Sequence, residues 1–156
     1  MKYINIKTLL SKQFEKGEFA KYDIIIRYWF VKKYTAKGKG KKMAYGLYAK
    51  LARASHTKNR RRAFVRLIKS IKDNGYNEDY PLGMSKDYHV CGGTHRLGIC
   101  LSFGINKIPY VRKKACEDKT RKFTRQWLFD NGFSPDDVEQ IEKVKMKVFK
   151  KLGIIK

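Results

Sequence analysis

The chain has 156 residues, room for one domain with a real core and too few for two of ordinary size. Apolar residues make up 42% of it, which excludes a disordered polymer, and no apolar run approaches the ~20 residues that a helix needs to span a bilayer. Lys and Arg total 37 against 14 Asp and Glu, a net charge of +23 that favours polyanionic partners.

Residues 2–10 alternate and then turn apolar, so a short strand or an entry turn is expected there. Residues 19–33 predict a helix, with Phe19, Tyr22, Ile26 and Phe30 near one face and Ile25, Trp29 and Val31 widening it. Its apolar run, residues 23–31, is interrupted by Arg27. Residues 35–42 form a basic, glycine-containing loop. Residues 43–54 predict a second helix through Met43, Leu47, Leu51 and Ala54, although Gly46 weakens it. Residues 60–74 predict a third, with Phe64, Leu67, Ile68 and Ile71 on one face, basic residues around the rest and Gly75 as its stop. Between Ile24 and Lys72 there are 16 Lys or Arg and no Asp or Glu.

The pattern then changes. Residues 80–84 and 88–91 predict short strands separated by a turn, and residues 94–103 a helix ended by Gly104. Residues 107–112 predict a strand in which Pro109 argues for an edge position or a strand start. Residues 120–131 predict a helix stopped by Gly132. Ser134-Pro135-Asp136-Asp137 then starts a helix running to about Leu152, with a Ser cap, Pro in the first turn and acids facing the dipole.

Cys91, Cys100 and Cys116 form no Cys-x-x-Cys pair and are odd in number, so thiols without a disulfide framework are expected. His89, Cys91 and His95 match no metal-ligand spacing, and no metal site is expected; His56 and His89 read as ordinary polar residues. The N-terminus has no signal-peptide core, and the expected location is cytoplasmic.

The most informative stretch is residues 89–100, His-Val-Cys-Gly-Gly-Thr-His-Arg-Leu-Gly-Ile-Cys. It reads as a strand end, a two-glycine turn and the start of a helix. Glycines let backbone approach a ligand closely, and a helix N-terminus favours an anion. Gly92, Gly93, Thr94, His95 and Arg96 are therefore candidate phosphate-binding residues.

Strand, Gly-Gly-Thr-His-Arg-Leu turn, glycine-ended helix and Ile108-Pro109-Tyr110-Val111 in this order resemble the ParB/sulfiredoxin superfamily over residues 60–114. The resemblance implies an α+β fold, a small mixed sheet with flanking helices and helical extensions at both ends. It divides a single domain, 1–156, into a basic helical region (1–58), the core (59–116) and C-terminal helices (117–156). It also implies ATP or another nucleotide lying on the glycine turn, with Mg2+ bridging the phosphates, Arg96 as charge clamp and His95 as phosphate contact or proton shuttle. Thr94 stands where sulfiredoxins carry their reactive cysteine, which argues against sulfinic acid reduction. Gly92 stands where other members have Asp; Asp87, Glu78 and Asp79 are the candidate replacements, and His95, Arg96 and Asp87 form the candidate catalytic set.

Two functions follow as expectations. The first is a nucleotide-phosphate-binding protein acting as an ATP-dependent phosphotransferase or NTP hydrolase on a small molecule. The second is a DNA-binding protein or nuclease, whose Arg60, Arg61, Arg62, Arg66 and Lys69 grip a polyanion. A degenerate member serving as an interaction module is a third.

Overall fold

A computed structural model describes residues 2–36, 38–55, 60–117 and 122–155. The architecture is α+β: a four-stranded mixed sheet and helices share one core, beside a separate two-stranded hairpin. Strand β1 (Lys2–Asn5) leads directly into helix α1 (Ile6–Ser11), because the Asn5 side chain accepts from Lys7 N and caps the first turn. Strands β2 (Phe14–Glu15) and β3 (Glu18–Phe19) form the hairpin, too short to register as a periodic pattern.

Helix α2 (Tyr22–Thr35) starts three residues later than the periodicity predicts. Phe19 belongs to β3, and Lys21 is held in a parallel bridge with Phe123. Tyr22–Ile26, Phe30 and Val31 are all buried, which makes α2 the central helix, packed against α3 (Lys41–Ala54), α5 (Thr94–Phe103) and α7 (Pro135–Leu152). Helix α4 (Arg61–Asn74) buries only the stripe Phe64, Ile68 and Ile71 and ends at Gly75.

Strands β4 (Leu82–Met84) and β5 (Val90–Gly92), helix α5 (Thr94–Phe103) and strand β6 (Lys107–Arg112) follow. The sheet order is β1-β6-β4-β5, with β6 antiparallel to β1 and parallel to β4, and β4 antiparallel to β5. The N-terminal strand therefore completes the sheet formed by the later segments. β6 is an interior strand and Pro109 its third residue, so of the two positions that proline argued for, an edge or a strand start, the edge is excluded. Pro109 lies opposite Tyr3 of β1 and one residue before the first β4 pair, Leu82↔Tyr110.

β1 and β5 are the edge strands, and Gln13 closes the backbone of β5. The buried Gln13 amide donates to Tyr88 O (2.7 Å) and to Leu9 O (2.9 Å), and its Oε1 accepts from Val90 N (3.1 Å). These bonds satisfy groups that an open edge would leave to solvent or to another chain.

Helix α6 (Arg125–Asp130) begins later than residue 120; Thr120 lies outside the described residues. Phe123 exchanges backbone bonds with Ala20 and Tyr22, and Thr124 is the cap, accepting from Trp127 N at 3.1 Å. Helix α7 (Pro135–Leu152) carries the expected Ser134 cap as a full capping box with Asp137. One expectation fails outright: Cys91 and Cys116 are joined as a disulfide, with Cα atoms 5.6 Å apart, while Cys100 is a buried free thiol. Spacing of 25 residues hides such a pair, because the fold and not the sequence brings the two together.

Candidate functional site

The site is built around the start of α5. Gly93 stands at the N-cap with φ 85°, and a Cβ there would lie 2.7 Å from Leu82 Cδ2, so the position demands glycine twice over. Gly92 has ordinary φ, and the nearest atom to a Cβ placed on it would be Gly83 N at 3.9 Å, so glycine is not required there. With glycine as N-cap, the cap residue offers the helix no side-chain acceptor, and among the described residues none is seen to take its place. The first-turn N–H groups of Thr94, His95 and Arg96 thus have no intrahelical acceptor and carry the positive end of the dipole.

That helix end opens on a cleft of about 390 Å³, lined by Arg27, Tyr48, Leu51, Ala52, Arg60, Cys91, Gly92, Gly93, Thr94 and His95. Two arginines face the turn, and among the described residues that line the cleft there is no carboxylate. Arg27 is brought there by close helix packing. Gly98, one turn into α5, touches the α2 backbone: a Cβ on it would lie 3.0 Å from Arg27 Cβ and 3.1 Å from Tyr28 N. Asp23, buried one turn before Arg27, fixes the guanidinium through Nη1 at 2.7 Å and also pairs with Lys21 at 3.3 Å. A half-buried guanidinium held by a buried carboxylate is pre-aimed, with little freedom left to lose.

His95 packs edge-on against Phe64 and Tyr48, with ring centroids 4.7 and 5.8 Å away. Tyr48 Oη lies 2.8 Å from its Nε2, and Arg27 Nε–H approaches the same nitrogen at 3.5 Å. Since arginine only donates, Nε2 carries the lone pair and Tyr48 donates to it. Burial first, and the Arg27 charge second, push the imidazole down to about 3. His95 is therefore neutral at neutral pH and adds no charge for a phosphate.

Arg96 points elsewhere. Its guanidinium lies 4.8 Å over the exposed Tyr80 ring. It lines a neighbouring cleft of about 280 Å³ with Arg60, Ala63, Phe64, Leu67 and His95. Arg60 and His95 border both clefts. Of the basic residues at 60–72, Arg60 alone lines the glycine-turn cleft; Arg61 stacks on Tyr45 at 4.4 Å, and Arg62, Arg66 and Lys69 are exposed on the face opposite the apolar stripe.

The candidate acids lie apart from the cleft lining. Asp87 is exposed in the β4–β5 turn, its N–H donating to Ser85 Oγ at 3.3 Å. Glu78 accepts from Tyr3 Oη at 2.5 Å, and the Asp79 N–H is bonded to Asn77 Oδ1 at 3.0 Å. The carboxylate nearest the site in this network is Asp23, reached through Arg27. Sequence reasoning does not single out Asp23, Arg27 or Tyr48 as site residues. The available signal is a charge interrupting an apolar helix, four residues after a lone acid. His89 stands in the β4–β5 turn, its N–H on Ser85 Oγ at 3.2 Å, and His56 lies outside the described residues.

The implied Mg2+ does not fit as a protein-held ion. A hard cation takes carboxylate and carbonyl oxygens, whereas this cleft presents guanidinium groups and helix N–H donors. Among the described residues no group of three or more His, Cys, Asp or Glu is placed to hold a metal. No protein-family model, curated protein or solved structure matches the chain. No helix among the described residues is long and apolar enough to cross a membrane.

Proposed function

We propose that this chain is a nucleotide-phosphate-binding protein of the ParB/sulfiredoxin type, with the phosphates bound at the start of α5. The observation that carries the reading is a helix N-terminus with glycine at its cap, opening on a cleft lined by Arg27 and Arg60 and by no described carboxylate. The order α4, β4, β5, glycine turn, α5, β6 supports the superfamily resemblance. Backbone N–H groups of the first turn take the phosphate oxygens, while Arg27 and Arg60 supply charge and forked donors. His95 holds Arg27 and Tyr48 in place rather than meeting the anion as a cation. Burial holds the imidazole uncharged at neutral pH, and what the geometry supports is binding of the phosphates.

Calorimetric titration with ATP, ADP, CTP, GTP and pyrophosphate, each with and without Mg2+, tests this. Arg60 is exposed, so Arg60→Ala removes a cation without stranding a buried partner. Its loss weakens binding by ten- to a hundredfold, the scale of about 1.5–3 kcal/mol for a hydrogen bond to a charged group. Arg96→Ala, in the neighbouring cleft, has a smaller effect. Unchanged affinity in Arg60→Ala, or no binding by the wild type, overturns the proposal.

A second reading rests on the outer face of α4. Arg61, Arg62, Arg66, Lys69 and Lys72 lie exposed along one helix that starts at the cleft, a cationic strip suited to a nucleic-acid backbone.

A further inference from the structure

The β4–β5 ladder contains a bulge. Gly83 pairs with Gly92 and Met84 with Val90, so Cys91 is the extra residue on β5. A bulge turns its residue out of the regular alternation and re-aims the side chain. Here the re-aimed side chain is a thiol one residue before the glycine turn, exposed and on the cleft lining. Its partner, Cys116, is fully buried in the 3-10 turn after β6. The chain following β6 folds back over β4, with Lys113 N donating to Met84 O at 2.9 Å. Gly83 clears the way, since a Cβ on it would meet the Lys113 stem at 3.1 Å and Cys116 Sγ at 3.7 Å. The loop closed by the two cysteines holds all of α5 and β6.

The geometry points to a redox-active cysteine pair, Cys91–Cys116, that exchanges with low-molecular-weight thiols and sets the rigidity of the phosphate turn. Cys91, the exposed member of the pair, is the one an incoming reagent meets, and the buried Cys116 resolves. In the oxidising direction the Cys91 thiolate attacks one sulfur of an external disulfide, breaking that bond and releasing one thiolate. Cys116, as thiolate, then attacks the Cys91 sulfur and expels the second. Two protein thiols lose two electrons, the external disulfide becomes two thiols, and the two protons pass to them. The positive field of the chain favours an anionic reagent such as glutathione. With the bond closed, Cys91 anchors the strand end that feeds Gly92 and Gly93, so the turn amides are held in their binding arrangement. With it open, they must be ordered when the anion arrives.

Only the affinity arm of the test rests on the proposed function. Full-length protein is equilibrated with glutathione disulfide or with dithiothreitol, and its thiols are counted by alkylation and mass spectrometry. Two thiols are expected to interconvert, with Cys100 constant. Hydrogen exchange at residues 92–97 is expected to be about tenfold slower in the disulfide form, and ATP to bind about tenfold more tightly. Cys91→Ser matches the reduced wild type in both buffers, and Cys116→Ala, which keeps the attacking thiol but not the resolving one, stops at the Cys91–glutathione mixed disulfide and keeps the fast hydrogen exchange of the reduced form.

A folded protein whose thiols stay reduced in excess glutathione disulfide overturns the proposal. So does equal hydrogen exchange in the two redox states, or measurable ATP binding of equal strength in both. Redox-dependent exchange with no ATP binding in either state upholds the cysteine pair and sinks the anion reading instead.

Discussion

Replacing Gly98 with alanine separates two effects of opposite sign. Inside a helix, alanine is favoured over glycine by about 1 kcal/mol. At Gly98 the added methyl meets Tyr28 N at 3.1 Å and Arg27 C at 3.2 Å. These are backbone atoms that cannot rotate away, so α2 must recede from α5 by several tenths of an ångström. Overpacking of this kind costs about 1–3 kcal/mol, and a rigid backbone neighbour places it at the upper end. The net effect is a loss of about 2 kcal/mol, or a fall in melting temperature of roughly 4–8 °C for a domain of this size. Gly46→Ala is the matched control. It has nothing within 4 Å of the new methyl, so it gains about 1 kcal/mol and melts roughly 2–4 °C higher. Thermal unfolding of both variants, with ATP titrations alongside, measures the pair. If Gly98→Ala stabilises the fold as Gly46→Ala does, the close approach that positions Arg27 is refuted.

His95 makes stability depend on pH in a definite direction. Its folded pKa of about 3 lies below the ordinary 6.5, so between these values the unfolded chain binds a proton that the folded chain does not. Stability is flat above 6.5 and falls as the pH drops through the window, by about 2 kcal/mol between pH 7 and 5. His95→Gln, which does not titrate, lacks this component; identical losses in urea midpoint for both proteins on acidification would contradict the burial of the ring. Gly92→Asp is expected to fold normally, within about 1 kcal/mol of wild type, as its φ is ordinary and its nearest neighbour is 3.9 Å away. The new carboxylate meets the helix N-terminus and the arginines, and nucleotide affinity falls at least about tenfold as it neutralises them. Affinity unchanged in calorimetry would place the anion away from the turn.

What can be read in the sequence follows the range of the interaction involved. Helices with a single apolar stripe, such as α4, or with explicit caps, such as α7, are written locally and are legible. So is the glycine turn, because the conformation of Gly93 is a local demand. The start of α6 is not, since Phe123 is drawn into backbone bonding with Ala20 and Tyr22, at the far end of the chain. The interior position of β6 is hidden because the partner that covers it, β1, is the first strand of the chain. The site is legible only on the α5 side. Arg27 belongs to a helix from the N-terminal segment, and its placement depends on Asp23 and Gly98, residues whose relation exists only after α2 crosses α5.

The separation between a high net charge and two placed arginines decides what salt should do. Exposed lysines more than about 8 Å from the cleft act beyond the Debye length at physiological ionic strength and mainly speed encounter. Arg27 and Arg60 act at contact distance. Arg27 is partly desolvated and tied to Asp23, so screening reaches it least. A mononucleotide held by these two and the turn amides associates more slowly as salt rises from about 50 to 200 mM and loses affinity in step, by no more than about tenfold. A nucleic acid lying along α4 behaves differently: each neutralised phosphate contributes a log–log slope of about −0.9, so about five contacts weaken binding several-hundredfold over the same range. Stopped-flow and equilibrium titrations with ATP and with a short duplex resolve the two. A steep equilibrium slope for ATP itself would mean that surface charge, not the glycine turn, supplies the affinity.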